Sequence, residues 1–175
     1  MLEDRCMYKY YYETPNGLSN MIMTSDGIYL KGLWFEKSKD DLNHIQDCEV
    51  KLLPIFEETI KWLDIYFSGK NPNFTPKYLI DNITSFRQEV INCMVQIPYG
   101  ETITYGDIAK KIATKKGLKR MSSQAVGGAV GWNPICIIIP CHRVVGQNNK
   151  LVGYGGGLEN KLMLLKLEGN QFYHE

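Results

Sequence analysis

The chain has 175 residues, 44% of them hydrophobic, with a formal net charge of +1, so it can bury one ordinary core or two small ones. Its five cysteines are an odd number with no Cys-x-x-Cys pair, which argues against a disulfide framework or a zinc ribbon and favours reduced thiols. The polar, tyrosine-rich stretch from Met1 to Tyr12 lacks an apolar signal core, and no run approaches membrane-spanning length, so a soluble, cytoplasmic protein is expected.

The net charge hides an asymmetry. Residues 1–81 hold nine Lys/Arg against thirteen Asp/Glu, whereas residues 82–168 hold eleven against five. An acidic half joined to a basic one suits a domain that approaches phosphates and another that does not.

Residues 8–13, 20–24 and 27–35 are rich in Tyr, Ile, Met, Leu and Trp, and Ser25-Asp26-Gly27 reads as a hairpin turn, which predicts a small antiparallel sheet. From Val50 to Phe67, apolar residues at Phe56, Ile60, Leu63 and Phe67 recur at helical spacing, with Gly69 as terminator, so one helix should cover the sheet. Asn71-Pro72-Asn73-Phe74-Thr75-Pro76 breaks all periodicity and marks a linker, placing a boundary near residues 70–81. The expected domains are residues 1–81 and 82–175.

Ser85 with Gln88 is a capping-box pattern ahead of a helix with Phe86, Val90, Cys93 and Met94 on one face. Thr104 with Asp107 repeats it ahead of Ile108–Ile112, and Ser122 or Ser123 could cap a short helix reaching about Val130. The basic segment from Lys115 to Arg120 joins these two helices, and the pair reads as helix-turn-helix. Leu158, Leu162 and Leu165 predict a last helix stopped by Gly169. There is no internal repeat and no low-complexity tract.

The apolar run Ile137-Ile138-Ile139 has the length of a strand and stops at Pro140, where the missing N–H and fixed φ force a turn. Cys141 is thereby delivered to a rim, with His142 beside it. Neighbours on a strand face opposite ways, so His142 reaches the thiol only if the chain turns or a water bridges them. A relayed proton is favoured over a direct ion pair. A free thiol near its reference pKa of about 8.5 is only a few per cent ionised at neutral pH, so a nucleophile needs help from a cation, a helix start or a base.

Taken together, Pro140-Cys141-His142-Arg143-Val144, Pro98-Tyr99-Gly100-Glu101-Thr102 leading to Tyr105, Ala125-Val126-Gly127-Gly128-Ala129, Asn133-Pro134, and Gly153-Tyr154 with Gly156-Gly157 occur in an order that resembles the O6-alkylguanine-DNA alkyltransferases. The resemblance is dense from about Thr84 to Gly169 and faint upstream. It implies an α+β protein with a small ribonuclease-H-like N-terminal domain and a C-terminal winged helix-turn-helix domain carrying the chemistry. The implied reaction is direct, stoichiometric transfer of the alkyl group from O6-methylguanine, and also O4-methylthymine, to Cys141. The resemblance assigns His142 as relayed base, Glu168 as its orienting acid, Tyr105 as donor to the departing base and Asn133 as brace of the active-site turn. It places Gln124, Ala125, Gly127 and Gly128 against DNA in the minor groove, and Tyr154 and Gly156 around the flipped guanine. The implied partner is double-stranded DNA containing O6-alkylguanine, with nucleoid association when bound, no membrane, no obligate protein partner and a monomeric state. No cofactor is required.

Each assignment has a plainer competitor. Tyr105 is also a helix-entry residue, Asn133 an Asn-Pro turn, and Tyr154 with its glycines a surface turn. The glycines of residues 125–129 fit close helix packing as well as close approach to DNA. Gln124 stands where much of the family has an arginine that fills the space left by the flipped base, which implies weaker or less selective flipping. Cys136 varies in the family. Cys6, His44 and Cys48 are the one metal candidate in the N-terminal half, but their spacing matches no known ligand run and no metal is expected. His174 belongs to the tail. Competing functions are a protein that recognises alkylated bases without removing them, and a Cys/His hydrolase, which usually places its histidine far from the cysteine in sequence.

Overall fold

The computed structural model describes residues 8–15, 17–36, 45 and 47–170. They form a mixed α+β arrangement with two compact units, Met1–Asn82 with Pro134–Ile138, and Ile83–Asn133 with Ile139–Glu175. Cys6, His44 and His174 lie outside the described residues.

The first unit contains β1 (Tyr8–Tyr12), β2 (Met21–Ser25), β3 (Leu30–Phe35), β4 (Glu49–Val50) and α1 (Pro54–Phe67). The sheet order is β3-β2-β1-β4. Tyr10 pairs with Met23 and Met23 with Leu33 in antiparallel register. The β2–β3 turn follows from Asp26, whose Oδ1 accepts the N–H groups of Ile28 and Tyr29 at 2.9 and 2.8 Å. β4 runs parallel to β1, so the sheet is mixed, not wholly antiparallel, and Val50 lies in a strand where a helix start was expected. The helix waits for Pro54, whose missing N–H costs nothing in a first turn. Its buried side is Ile55, Phe56, Thr59, Trp62, Leu63 and Tyr66. Tyr10 stacks on Phe56 with ring centroids 6.3 Å apart, and Tyr12 donates to Asp64 at 2.7 Å, so α1 packs on the sheet.

Pro134–Ile138 belongs to this unit through Leu33, whose N–H donates to Pro134 O and whose carbonyl accepts from Cys136 N, both at 2.8 Å. The strand expected at 137–139 is absent. Ile137 has φ +71°, a conformation that a β-branched residue adopts at a cost of roughly 1–3 kcal/mol, offset here by complete burial of its side chain. Cys48 is disulfide-bonded, which corrects the expectation that the thiols are all reduced.

The second unit contains α2 (Ser85–Met94), β5 (Ile103–Thr104), α3 (Tyr105–Lys116), α4 (Ser123–Gly131), β6 (Val144–Val145) and α5 (Leu158–Leu167). The α2 cap is Thr84, not Ser85, accepting from Arg87 N at 3.2 Å. At α3 the capping box is complete: Thr104 Oγ1 accepts from Asp107 N at 2.9 Å, and Asp107 Oδ2 from Thr104 N at 3.0 Å. Gly117, at φ +68°, closes α3 in the left-handed region. Ser122 caps α4 by accepting from Ala125 N at 3.1 Å. α2, α3 and α4 pack against one another around Val90, Ile91, Met94, Ile108, Ile112, Val126 and Val130, all buried. No helix among the described residues is long and apolar enough to cross a membrane.

Candidate active site

Pro140 hands the chain into a short 3₁₀ turn, Cys141–Arg143, which runs directly into β6. Ile103 pairs with Val144 and Thr104 with Val145, so two residues of parallel ladder bring the start of α3, and with it Tyr105, alongside the cysteine turn. The turn is held on its N-terminal side by one carbonyl. Ile139 O accepts from Cys141 N at 2.8 Å and from Asn133 Nδ2 at 2.9 Å. Asn133 is 6% exposed, so this amide N–H is directed at backbone and not at solvent.

Cys141 is only 5% exposed and lies within the packed unit, which corrects its expected place on a rim. In a 3₁₀ turn successive side chains diverge by about 120°, so Cys141 and His142 neither oppose each other as on a strand nor face each other. That geometry suits a relayed proton better than an ion pair.

His142 is fully buried, and its Nε2 lies 2.5 Å from Glu168 Oε2. Glu168, just past the end of α5, also receives Arg143 Nε at 2.8 Å, Arg143 Nη2 at 3.3 Å and the backbone N–H of Gly100 at 3.1 Å. Burial alone would raise the Glu168 carboxyl, but the hydrogen bonds and charges of His142 and Arg143 bring it down to about 2. It is therefore a carboxylate and accepts only, so His142 carries its proton on Nε2 when neutral. Burial lowers His142, against the pull of Glu168 and with the push of Arg143 and Lys161. Gly100 sits at φ +83°, and a Cβ there would approach Glu168 O to 3.2 Å, so the Pro98-Tyr99-Gly100 turn needs glycine at this point.

Tyr105 is half-buried at the start of α3, and its hydroxyl donates to Val152 O at 2.9 Å. Burial and the nearby Cys141 charge push the phenol up to about 12. Tyr154 is half-buried in the glycine-rich loop, where its carbonyl accepts from Gly157 N at 2.9 Å, and Gly156 O accepts from Asn160 Nδ2 at 2.6 Å.

A lysine with no role in the sequence reading joins these parts. Lys161, on α5, is fully buried; Nζ donates to Val144 O at 2.7 Å and Gly153 O at 3.3 Å, and lies 3.4 Å from Tyr105 Oη. It sits 5.7 Å from the Tyr105 ring centroid and 5.9 Å from that of Tyr154. Burial lowers it to about 8 despite the attraction of Cys141. The signal was in the sequence, because Lys161 and Glu168 occupy the same helical stripe as Leu158 and Leu165, where a solvated charge has no place.

The glycine-containing helix α4 turns Val126, Ala129 and Val130 inward. Gln124, Ala125, Gly128 and Gly131 are exposed. A Cβ at Gly128 or Gly131 would meet nothing within 4 Å, so internal packing does not account for these glycines, whereas at Gly127 it would make ordinary contact with the Tyr105 ring at 3.8 Å. Lys110, Lys111, Lys115, Lys116, Lys119 and Arg120 are exposed along α3 and the turn before α4. Among the described residues, no group of three or more His, Cys, Asp or Glu could hold a metal ion.

Residues 85–170 match the model of the 6-O-methylguanine DNA methyltransferase DNA-binding domain. Over 94% of its length the chain is 43% identical to a methylated-DNA–protein-cysteine methyltransferase of Methanosarcina acetivorans, covering 99% of that protein. The structure resembles the O6-methylguanine methyltransferase of Mycobacterium tuberculosis, with a TM-score of 0.79, 34% identity and 92% of each chain covered. It also resembles a Mycobacterium tuberculosis OGT in complex with DNA, at a TM-score of 0.77 and the same identity and coverage. With identity sustained over nearly the whole of both chains, this protein belongs to the methylated-DNA–protein-cysteine methyltransferase family.

Proposed function

We propose that this protein repairs DNA by transferring the methyl group of O6-methylguanine directly to Cys141. The observation that carries the reading is a buried cysteine on a braced turn, next to a buried His142–Glu168 pair and near the neutral phenol of Tyr105 and the ammonium of Lys161. The thiol proton passes through a water to His142 Nδ1, while Nε2–H stays on Glu168. Thiolate sulfur attacks the methyl carbon in line, a C–S bond forms, the C–O6 bond breaks, and its electron pair stays on guanine. Tyr105 releases Val152 O and donates to the departing base at N3; the Lys161 ammonium beside its hydroxyl stabilises the phenolate left behind. The thioether product has no good leaving group, so each molecule acts once. The scheme calls on neither metal nor nucleotide.

In this reading residues 1–81 form a ribonuclease-H-like domain with linker, and residues 82–175 a winged helix-turn-helix domain in which α3 and α4 are the helix pair. The exposed face of α4, with Gln124, Ala125, Gly128 and the adjoining Gly127, enters the minor groove, where small residues let backbone approach closely. Tyr154 and Gly156 line the pocket for the flipped base, which excludes bulk solvent from the attack. O4-methylthymine is a second substrate, and the protein acts as a cytoplasmic monomer on nucleoid DNA.

The test is intact mass after incubation with a duplex containing one O6-methylguanine. A gain of one methylene per protein, mapped to Cys141 and absent in Cys141→Ala and with unmodified DNA, is expected. Binding without mass gain would make the protein a lesion sensor and overturn the transfer reading.

A further inference from the structure

The environment of Glu168 differs from that of an orienting acid in a simple nucleophile-base-acid relay. There, the carboxylate charge is offered to the imidazole and stabilises its cation. Here the same carboxylate is bridged by a guanidinium. Arg143 Nε reaches Oε1 at 2.8 Å and Nη2 reaches Oε2 at 3.3 Å, so the two planar groups meet edge to edge. Arg143 is itself locked, since Nη1 donates to Ile97 O at 2.8 Å and the guanidinium lies 5.7 Å from the Tyr99 ring centroid. All three groups are buried: His142 is 0%, Glu168 6% and Arg143 9% exposed.

The charge balance is set by that burial. With His142 neutral, the Arg143–Glu168–His142 cluster sums to zero. With His142 protonated it carries +1 in a site where water screens little, next to the buried ammonium of Lys161. Every group facing His142 enters this balance. Glu168 from the end of α5 favours its cation; Arg143 from its own turn and Lys161 from α5 oppose it. Cys141 adjoins it in the turn, and Tyr99, before β5, faces the Glu168–Arg143 pair.

We infer that Arg143 is a positioning residue that cancels the charge of Glu168, so that His142 rests as a neutral imidazole with Nε2–H held on Glu168 and Nδ1 as the ring's acceptor. The carboxylate then sets tautomer and orientation without holding a proton on the ring. The base is vacant when a thiol proton arrives, over a range of pH in which an uncancelled pair would already be protonated. This inference rests on His142 being the proton acceptor of the proposed transfer, but its electrostatic half is independent of any activity.

The experiment has two readouts. The first is nitrogen and ring-proton NMR of His142 in the whole protein, titrated from pH 5 to 9, for the wild type, Arg143→Met and Arg143→Lys. Wild-type His142 should stay neutral, with its proton on Nε2, across the range. In Arg143→Met the uncancelled carboxylate should move its titration midpoint up by about one to three pH units. Arg143→Lys keeps the charge while losing the fork, and should remain neutral like the wild type; it also serves if the Met variant does not fold. A wild-type His142 protonated at pH 7 overturns the inference, as does a midpoint unchanged by Arg143→Met or a Lys variant that titrates like an uncancelled pair. The second readout is the single-turnover methyl-transfer rate against pH on duplex O6-methylguanine. Its acid limb should follow the NMR midpoint, so at the upper end of that shift Arg143→Met loses up to about tenfold in rate between pH 8 and pH 6 where the wild type is flat. If the midpoint moves and the rate profile does not, the charge cancellation stands and His142 as proton acceptor fails.

Discussion

Replacing Glu168 by Gln should cost folding stability, and the cost should depend on pH in a way that isolates this one carboxylate. Its pKa is about 2 in the folded protein against 4.5 for an unperturbed glutamate. A depressed carboxylate contributes stability that is fully present above the unfolded value and is lost as pH falls through the folded one. A difference of that size corresponds to roughly 3 kcal/mol, in line with the ~3–5 kcal/mol expected when a buried ion pair loses one partner and strands the other, here Arg143. For a chain of this length that lowers Tm by about 6–20 °C at pH 7. His142 works in the same direction, because its lowered folded pKa means that the unfolded chain takes up an extra proton below about 6.5. That contribution alters with the substitution and is recorded separately by a His142→Phe, Glu168→Gln double variant. The assay is urea unfolding of the wild type and Glu168→Gln from pH 8 to pH 2. The gap should be widest above pH 5 and should close toward pH 2. A gap that stays constant with pH, or none at pH 7, would refute the view that an ionised, clamped Glu168 supports the turn.

Lys161→Met should leave Cys141 in place but remove the cation nearest Tyr105, so methyl transfer should slow by at least tenfold; an unchanged single-turnover rate would remove Lys161 from the chemistry. Neutralising Lys115, Lys119 and Arg120 together should weaken duplex binding alike for damaged and undamaged DNA. It should also reduce the slope of log K against log salt by up to roughly 0.9 per lost phosphate contact, and an unchanged slope would mean that this turn is merely solvated. Gln124→Arg should speed repair of duplex by supplying a planar cation to the space left by the flipped base, and a variant that repairs no faster counts against the flipping role of this position.

How much was legible beforehand divides along physical lines. Local signals were read well: the Thr104–Asp107 capping box, the Ser122 cap and the Asp26 turn are decided by neighbours in sequence. Errors arose where tertiary burial overrode local preference. Ile137 leaves the strand region although Ile-Ile-Ile reads as a strand, because side-chain burial outweighs backbone strain at one position. The two-residue strand β4 has too few residues to show a period of two, and its parallel partner lies far back in the chain. Family motifs named Cys141, His142, Glu168 and Asn133, which the structure holds within one unit. Lys161 is marked in the sequence by the apolar stripe it shares with Leu158 and Leu165, whereas Arg143 is distinguished from an ordinary solvated charge only by its burial and partners. The fate of Cys48 could not be read from an odd count of cysteines, which leaves pairing open.

The cysteine turn is fixed from both ends by different means, and this bears on how its substitutions should combine. Before Cys141, a neutral amide, Asn133, fastens Ile139 O, the carbonyl that Cys141 N also uses. After it, charged groups take over: His142 and Arg143 both end on Glu168, which is tied in turn to Gly100. The amide end is indifferent to pH, whereas the charged end is not. Loss of Asn133 therefore loosens the sulfur's position at every pH, while loss of Glu168 changes position, tautomer and charge together. Glu168 and Arg143 share hydrogen bonds and must couple strongly, so their separate effects cannot be summed. In the proposed transfer Cys141 is used only once, so there is no regeneration step to accommodate. That leaves such a site free to be nearly closed and closely braced, needing only to admit one flipped base.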